Sequence, residues 1–215
     1  IRDSEQDRLA DLYEFWEDDA SRVIPVVGDL TLPNFGVSAA DLKKIGKRTS
    51  HFFHLAAIYD LKADTASQLR VNVEGTRNAV QFAEAIGAKH FHLFSSIASA
   101  GMFEGLFRED MFDEAEHLEH PYFRTKHDSE GIVRRECGIP WRIYRPALVV
   151  GDSRTGEMDK IDGPYYFFKL IQKMRNLLPP WVPAIGIEGG RINVVPVDFV
   201  VAAVDHIAHA KGEDG

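Results

Sequence analysis

Three side chains in the middle of the sequence could act together on a carbonyl group: the hydroxyl of Ser96, the phenol of Tyr122 and the ammonium of Lys126. A helix over 119–137 would set Tyr122 and Lys126 one turn apart on one face, where an ammonium can approach a phenol. Free tyrosine titrates near ~10, and a neighbouring positive charge draws that value toward working pH. A proton donor tuned in this way suits an oxygen that gains negative charge as its carbon receives hydride. Ser96 would supply a second hydrogen bond to the same oxygen. The spacing alone is not specific, because Tyr165-Tyr-Phe-Phe-Lys169 repeats it. That second pair follows no serine-ended strand and sits in an aromatic segment, which reads as a substrate wall or core. For Tyr122 the bland alternative is a surface Tyr–Lys contact.

The elements that must hold these groups can be read from pattern. Ser96 follows the apolar run His90-Phe-His-Leu-Phe94, which reads as a buried parallel strand, and α/β sheets place chemistry at strand ends. Helix-like 5–18, strand 22–27, helix 38–46, strand 50–56, helix 63–86 and strand 89–95 alternate as βαβ units do, so a parallel sheet is expected. In helix 63–86 the apolar positions Ala66, Leu69, Val71, Val73, Ala79, Val80, Phe82 and Ala83 give a core face, and Gly87 closes it as a C-cap. After Gly151 the alternation breaks into a loop, an aromatic helix around 163–175, a Pro-rich turn, a strand at 192–195 and a helix at 197–210. No internal repeat, low-complexity tract or flexible linker is visible.

Composition sets the class. The chain has 215 residues, 45% of them hydrophobic and 27% charged, the ordinary range for one globular domain. A net charge of −8 with no basic cluster argues against nucleic acid as a partner, since that binding draws on Lys and Arg neutralising phosphates. The single cysteine, Cys137, rules out an internal disulfide, and no Cys/His spacing suggests zinc, so no metal is expected. A reducing cytoplasm fits. No start-proximal stretch resembles a signal peptide and no run of about 20 apolar residues suggests a membrane span, while Leu177-Leu-Pro-Pro-Trp181-Val leaves peripheral membrane contact open.

Five stretches in order give the chain a resemblance to extended short-chain dehydrogenase/reductases. Besides Ser96 and Tyr122-x-x-x-Lys126 they are Val27-Gly28-Asp29-Leu30-Thr31, Phe53-His54-Leu55-Ala56-Ala57, Asn72-Val-Glu-Gly75-Thr76 and Tyr144-Arg145-Pro146-Ala-Leu-Val-Val-Gly151. The resemblance implies a Rossmann-type doubly wound parallel sheet and assigns roles. Asp29 would meet the adenine with Leu30 packing on it. Ala56 and Ala57 would let backbone approach the cofactor. Asn72 would organise a water-mediated relay to Lys126, and Pro146, Leu148 and Val149 would face the nicotinamide. Ile1-Arg2-Asp3-Ser4 is similar to the family's post-strand segment, where Arg2 and Ser4 would receive the 2′-phosphate of NADPH, in preference to NADH. The fold's first strand and Gly-rich turn find no counterpart here, since Gly186, Gly189 and Gly190 read as a late loop, so the chain is expected to be a fragment that begins near the second strand's end. Residues 1–150 are then a partial NAD(P)-binding part and 151–215 a partial substrate-binding elaboration of the same structural unit.

A narrower resemblance is carried by Gly151-Asp-Ser-Arg-Thr-Gly156 through Phe168, Trp181-Val-Pro-Ala-Ile-Gly186 and Asn193-Val-Val-Pro-Val-Asp198. These look like the N-terminal reductase module of bacterial alcohol-forming fatty acyl-CoA reductases, in the branch that includes thioester reductase domains. It implies NADPH-dependent reduction of a fatty acyl-CoA or fatty aldehyde, with a second reductase module elsewhere in the full-length protein. Met102, Phe103, Tyr165, Tyr166 and Trp181 are the expected substrate contacts, a cluster that could bury an acyl chain at roughly 0.8 kcal/mol per methylene. A hydroxysteroid dehydrogenase or sugar-nucleotide epimerase would share the same catalytic residues. A noncatalytic cofactor sensor ranks last, because Tyr122 and Lys126 are both present.

Overall fold

The structure is a computed structural model that describes residues 9–10, 12–14, 21–46, 48–58, 64–158, 165, 172–173, 175, 177 and 192–211. In chain order its elements are α1 (Ala39–Ile45), β1 (His51–His54), α2 (Thr65–Gln68), a π-helical turn (Leu69–Glu74), α3 (Gly75–Ala85), β2 (His90–Phe94), α4 (Pro121–Glu136), β3 (Trp141–Tyr144), β4 (Leu148–Val150), β5 (Val194–Pro196) and α5 (Val197–His209). Strands β1, β2 and β3 pair in that order, all parallel, with His51 opposite His90 and Phe91 opposite Trp141. Strands β4 and β5 form a separate parallel pair. The chain divides into two compact units, Ile1–Arg145 with Ala210–Gly215, and Pro146–His209.

Alternation along the strands decides what each sheet face does. On one face Phe52, Phe91, Leu93, Trp141 and Ile143 meet Ala79, Val80, Phe82 and Ala83 of α3, Ile86 just past its end, and Ile132 and Val133 of α4. This is the core of the first unit. The other face carries His51, Phe53, His92 and Tyr144, joined by hydrogen bonds of 2.9 Å from His51 to His92 and 2.9 Å from His92 to Tyr144. His92 is fully buried there and Phe53 stacks on it at 4.3 Å.

Three expectations are modified. The apolar stretch 22–27 joins neither sheet, and Ile24 and Val27 stay exposed. Apolar composition does not make a strand where its backbone groups find no ladder partner. The helix expected over 63–86 is present but changes pitch at Leu69–Glu74, where Gly75 N–H donates to Arg70 O five residues back. The strand expected at 192–195 runs Val194–Pro196, and Pro146, which has no N–H to donate to a ladder, lies between β3 and β4. The N-terminal helix shows only in its described part, 9–10 and 12–14.

Candidate active site

Because β1, β2 and β3 run parallel, residues leaving their C-terminal ends emerge on one sheet edge: Leu55–Ile58, Ser95–Ile97 and Arg145. Helix α4 returns to that edge. It starts with Pro121 at its first turn, where the missing N–H is harmless, and with His120 as N-cap, whose Nδ1 accepts from Tyr122 N at 3.2 Å. Its buried stripe, Tyr122, Thr125, Lys126, Ser129, Glu130, Ile132 and Val133, keeps helical spacing, yet the half nearest the edge is polar. Buried polar groups need partners, and those partners build the site.

Tyr122 and Lys126 are each 8% exposed. Lys126 Nζ donates to the carbonyl of Phe94 at 3.2 Å, which anchors it to the end of β2. Burial drives the ammonium down to about 8, and the Glu130 carboxylate one turn along pulls partly the other way. A lysine near that value can stay charged beside a phenol while exchanging protons near neutral pH.

The three serines of the loop after β2 have different fates. Ser95 Oγ donates to Glu130 Oε1 at 2.6 Å and Ser99 is fully buried. Among the described residues Ser96, half-buried, accepts only from its own turn, Ala98 N at 3.2 Å, as N-cap of the 3-10 turn Ile97–Ala100. Its hydroxyl proton is therefore available to a bound oxygen.

Asn72 is fixed by the π-helical turn, a pitch change that often marks functional sites. Its Oδ1 accepts from Ile58 N at 2.7 Å, and its Nδ2 donates to Ile58 O and to Thr125 Oγ1, both at 3.2 Å. Its main-chain carbonyl accepts from Thr76 Oγ1 at 2.6 Å and Ser129 Oγ at 2.8 Å. Because Thr76 spends its proton on that carbonyl, the 3.2 Å contact to His54 is His54 Nε2–H donating to Thr76 Oγ1. Burial and the nearby Lys126 charge hold His54 down to about 4, so it is neutral at pH 7. Ala56, Ala57, His54, Asn72, Ser95 and Lys126 line one small cavity. The small side chains at 56 and 57 are what a dinucleotide backbone needs for close approach at a strand exit, so the residues present fit that group.

The other expected contacts fall as follows. Asp29 is exposed and its Oδ1 accepts from Thr31 N and Thr31 Oγ1, both at 2.8 Å. Leu30 O accepts from Asn78 Nδ2 at 2.7 Å, which seats this turn on α3. Met102 is exposed and Phe103 half-buried, its ring edge-on to Phe107 at 5.4 Å. Tyr165, in the second unit, accepts Gly151 N on its phenol oxygen at 2.7 Å, so that hydroxyl has a structural duty. Pro146, Leu148 and Val149 also belong to the second unit. Arg2, Ser4, Tyr166, Lys169 and Trp181 lie outside the described residues.

Sequence reasoning missed two groups. Glu130 is fully buried, and Arg145 clamps it with Nη2 to Oε2 at 2.6 Å and Nε to Oε1 at 3.0 Å. The helical i, i+4 step from Lys126 to Glu130 was the available signal.

Residues 2–204 match the model of the NAD-binding family described as Male sterility protein. A linear gramicidin synthase protein of Brevibacillus parabrevis is 30% identical over 92% of the chain, which spans 4% of that protein. A Drosophila melanogaster protein provisionally named a fatty acyl-CoA reductase is 27% identical over 87% of the chain, which spans 40% of it. The terminal R domain of the myxalamid PKS-NRPS pathway superposes with a TM-score of 0.79 at 25% identity, over 98% of this chain and 54% of that one. Spanning less than two thirds of each of these, the chain belongs to the Male sterility protein family, a thioester-reductase-like branch of the extended short-chain dehydrogenase/reductase oxidoreductases.

Proposed function

We propose that this chain carries the catalytic groups of an NADPH-dependent reductase of acyl thioesters or the aldehydes derived from them, with fatty acyl chains as the substrate class, acting in the cytoplasm. The carrying observation is the buried Tyr122 and Lys126 pair, one helical turn apart beside the exit of β2, with Ser96 the serine whose hydroxyl is free to donate. NADPH, when bound, supplies the hydride for the carbonyl carbon. Asp29, Leu30, Ala56, Ala57, Tyr122 and Lys126 are the residues of the first unit assigned to hold it, with Arg2 and Ser4 on its 2′-phosphate and Pro146, Leu148 and Val149 on the nicotinamide side.

Ser96 Oγ and Tyr122 Oη hydrogen-bond the substrate oxygen, a stabilisation that grows as negative charge develops on it. Tyr122 then gives its proton to that oxygen, and the Lys126 charge stabilises the phenolate left behind. With an aldehyde this completes the alcohol; with a thioester the hemithioacetal so formed collapses by cleavage of its C–S bond, the sulfur leaving as the thiol with the hydroxyl proton and the aldehyde being released. Lys126 returns a proton to Tyr122 and is itself resupplied from the cavity shared with Asn72. Exposed Met102 and half-buried Phe103 offer apolar surface to an acyl chain. Tyr165, Tyr166 and Trp181 are the further residues proposed to contact the acyl chain.

The test is NADPH oxidation by the full-length protein carrying Tyr122→Phe, with any second reductase module inactivated in both variant and parent, offered a long-chain acyl-CoA and, separately, the matching aldehyde. Turnover of both should fall by at least about 100-fold while cofactor affinity stays within a few-fold. Preserved turnover sinks the assignment. In the parent protein, oxidation with acyl-CoA assigns thioester reduction to it, and oxidation with aldehyde alone assigns the alcohol-forming step.

A further inference from the structure

The stretch between Ser96 and Tyr122 is a closed excursion with no regular element beyond the short 3-10 turn at its start, and one guanidinium holds it. Its neck is shut by Met102 N donating to Glu116 O at 2.8 Å and Glu116 N to Ala100 O at 3.2 Å. Within it, Arg145 Nη2 donates to Met111 O at 2.9 Å and Nη1 to Arg108 O at 3.3 Å, while the guanidinium lies over the Phe107 ring at 5.1 Å. The same guanidinium grips Glu130 on α4, and Glu130 in turn accepts a hydrogen bond from the Ser95 hydroxyl. The Arg145 side chain is 13% exposed and that of Glu130 is 0%.

We infer that Arg145 is a positioning residue that sets the substrate-side loop 102–116 against the Ser96 and Tyr122 hydroxyls and so determines how tightly the acyl group is held. This rests on the reading of the loop as the acyl wall. The loop's two stems lead directly from Ser96 and into Tyr122, so its placement is tied to the groups that hold the reacting oxygen. Met102 and Leu106 expose apolar surface at 61% and 80%, and Phe103 meets edge-on the Phe107 ring over which the Arg145 guanidinium lies. A planar fork can meet a carboxylate and two carbonyls at once. An ammonium, whose three donors radiate from one compact centre, cannot span all three at once.

Arg145→Lys in the full-length protein keeps a charge for Glu130 and removes the fork. The expected result is a KM for long-chain acyl substrate raised about 10-fold, with kcat within about threefold and cofactor KM within about twofold, the split expected when uniform substrate binding is lost. Amide exchange at Met111, Ala115 and Glu116 should speed up about 10-fold or more while α4 amides hold their protection. The double variant Arg145→Met with Glu130→Met removes both charges together and should show the same faster loop exchange, without a stranded buried carboxylate. Unchanged KM with unchanged loop exchange overturns the inference. So does an equal loss of acyl binding, kcat and cofactor binding with α4 exchange also faster, since that describes a fold defect. If the parent protein reduces neither thioester nor aldehyde, the functional reading fails, and loop exchange alone then decides whether Arg145 holds the loop.

Discussion

Lys126 shows what the site costs the fold. Its ammonium is driven from the ordinary 10.5 to about 8, chiefly by burial. Between those values the unfolded chain binds a proton that the folded chain does not, so this group's contribution to stability rises with pH across that window. Below pH 8 both states are protonated and the full penalty stands, about 3 kcal/mol at most. Lys126→Met removes that penalty at pH 7 and gives up one hydrogen bond to Phe94 O, about 1 kcal/mol. The net expectation is a variant more stable by about 1–2 kcal/mol, with a melting temperature roughly 2–8 °C higher, that no longer turns over. A lower melting temperature would show that the buried charge is supported by more than the Phe94 carbonyl. Tyr122 and Lys126 could be singled out from residue type and helical spacing, and Ser96, far upstream of them, from the strand it follows. His54 and Arg145 could not be, since each draws its meaning from partners far along the chain, Thr76 for one and Glu130 and Met111 for the other.

At the level of elements, most of the sheet and its helices could be read from period and punctuation, and the departures have physical causes. Period alone cannot tell an α-turn from the wider π-turn at Leu69–Glu74, yet that widening sets the carbonyl of Asn72 to receive the hydroxyls of Thr76 and Ser129. The loop neck is a second such device. Gly101 sits at φ +65, and a Cβ there would collide with the carbonyl oxygen of Glu116. An L side chain meets both a disfavoured backbone conformation and a backbone atom that cannot move without opening the Met102–Glu116 closure. Gly101→Ala is therefore expected to destabilise by about 1–3 kcal/mol, read as a lower urea midpoint with an unchanged slope. It should also raise the acyl KM more than the cofactor KM. A neutral midpoint would mean that the neck can widen freely, and would weaken the argument that loop 102–116 is held in one place.

Among the described residues, apolar burial is unevenly shared between the two units. Phe91, Ala79, Ala83 and Val133 in the first unit are fully buried, and the aromatic contacts of Phe82 with Phe35 at 4.6 Å and Phe52 at 5.9 Å tie α3 to β1 and to the turn at Pro33–Gly36. Among the described residues of the second unit, Ala208 is the one buried apolar side chain, while Phe199 and Val201 on α5 are 64% and 62% exposed. Composition could not foresee this, because the apolar residues of Val194–His209 read as core as well as those of β2 do; burial depends on what packs against them. Local stability follows buried contacts, so opening should not be uniform. Amide exchange in subdenaturing urea should release β4, β5 and α5 first, with β2 and α3 protected up to the global unfolding free energy. Exchange of α5 amides only through global unfolding would show instead that the Pro146–His209 unit shares one cooperative fold with the rest of the chain.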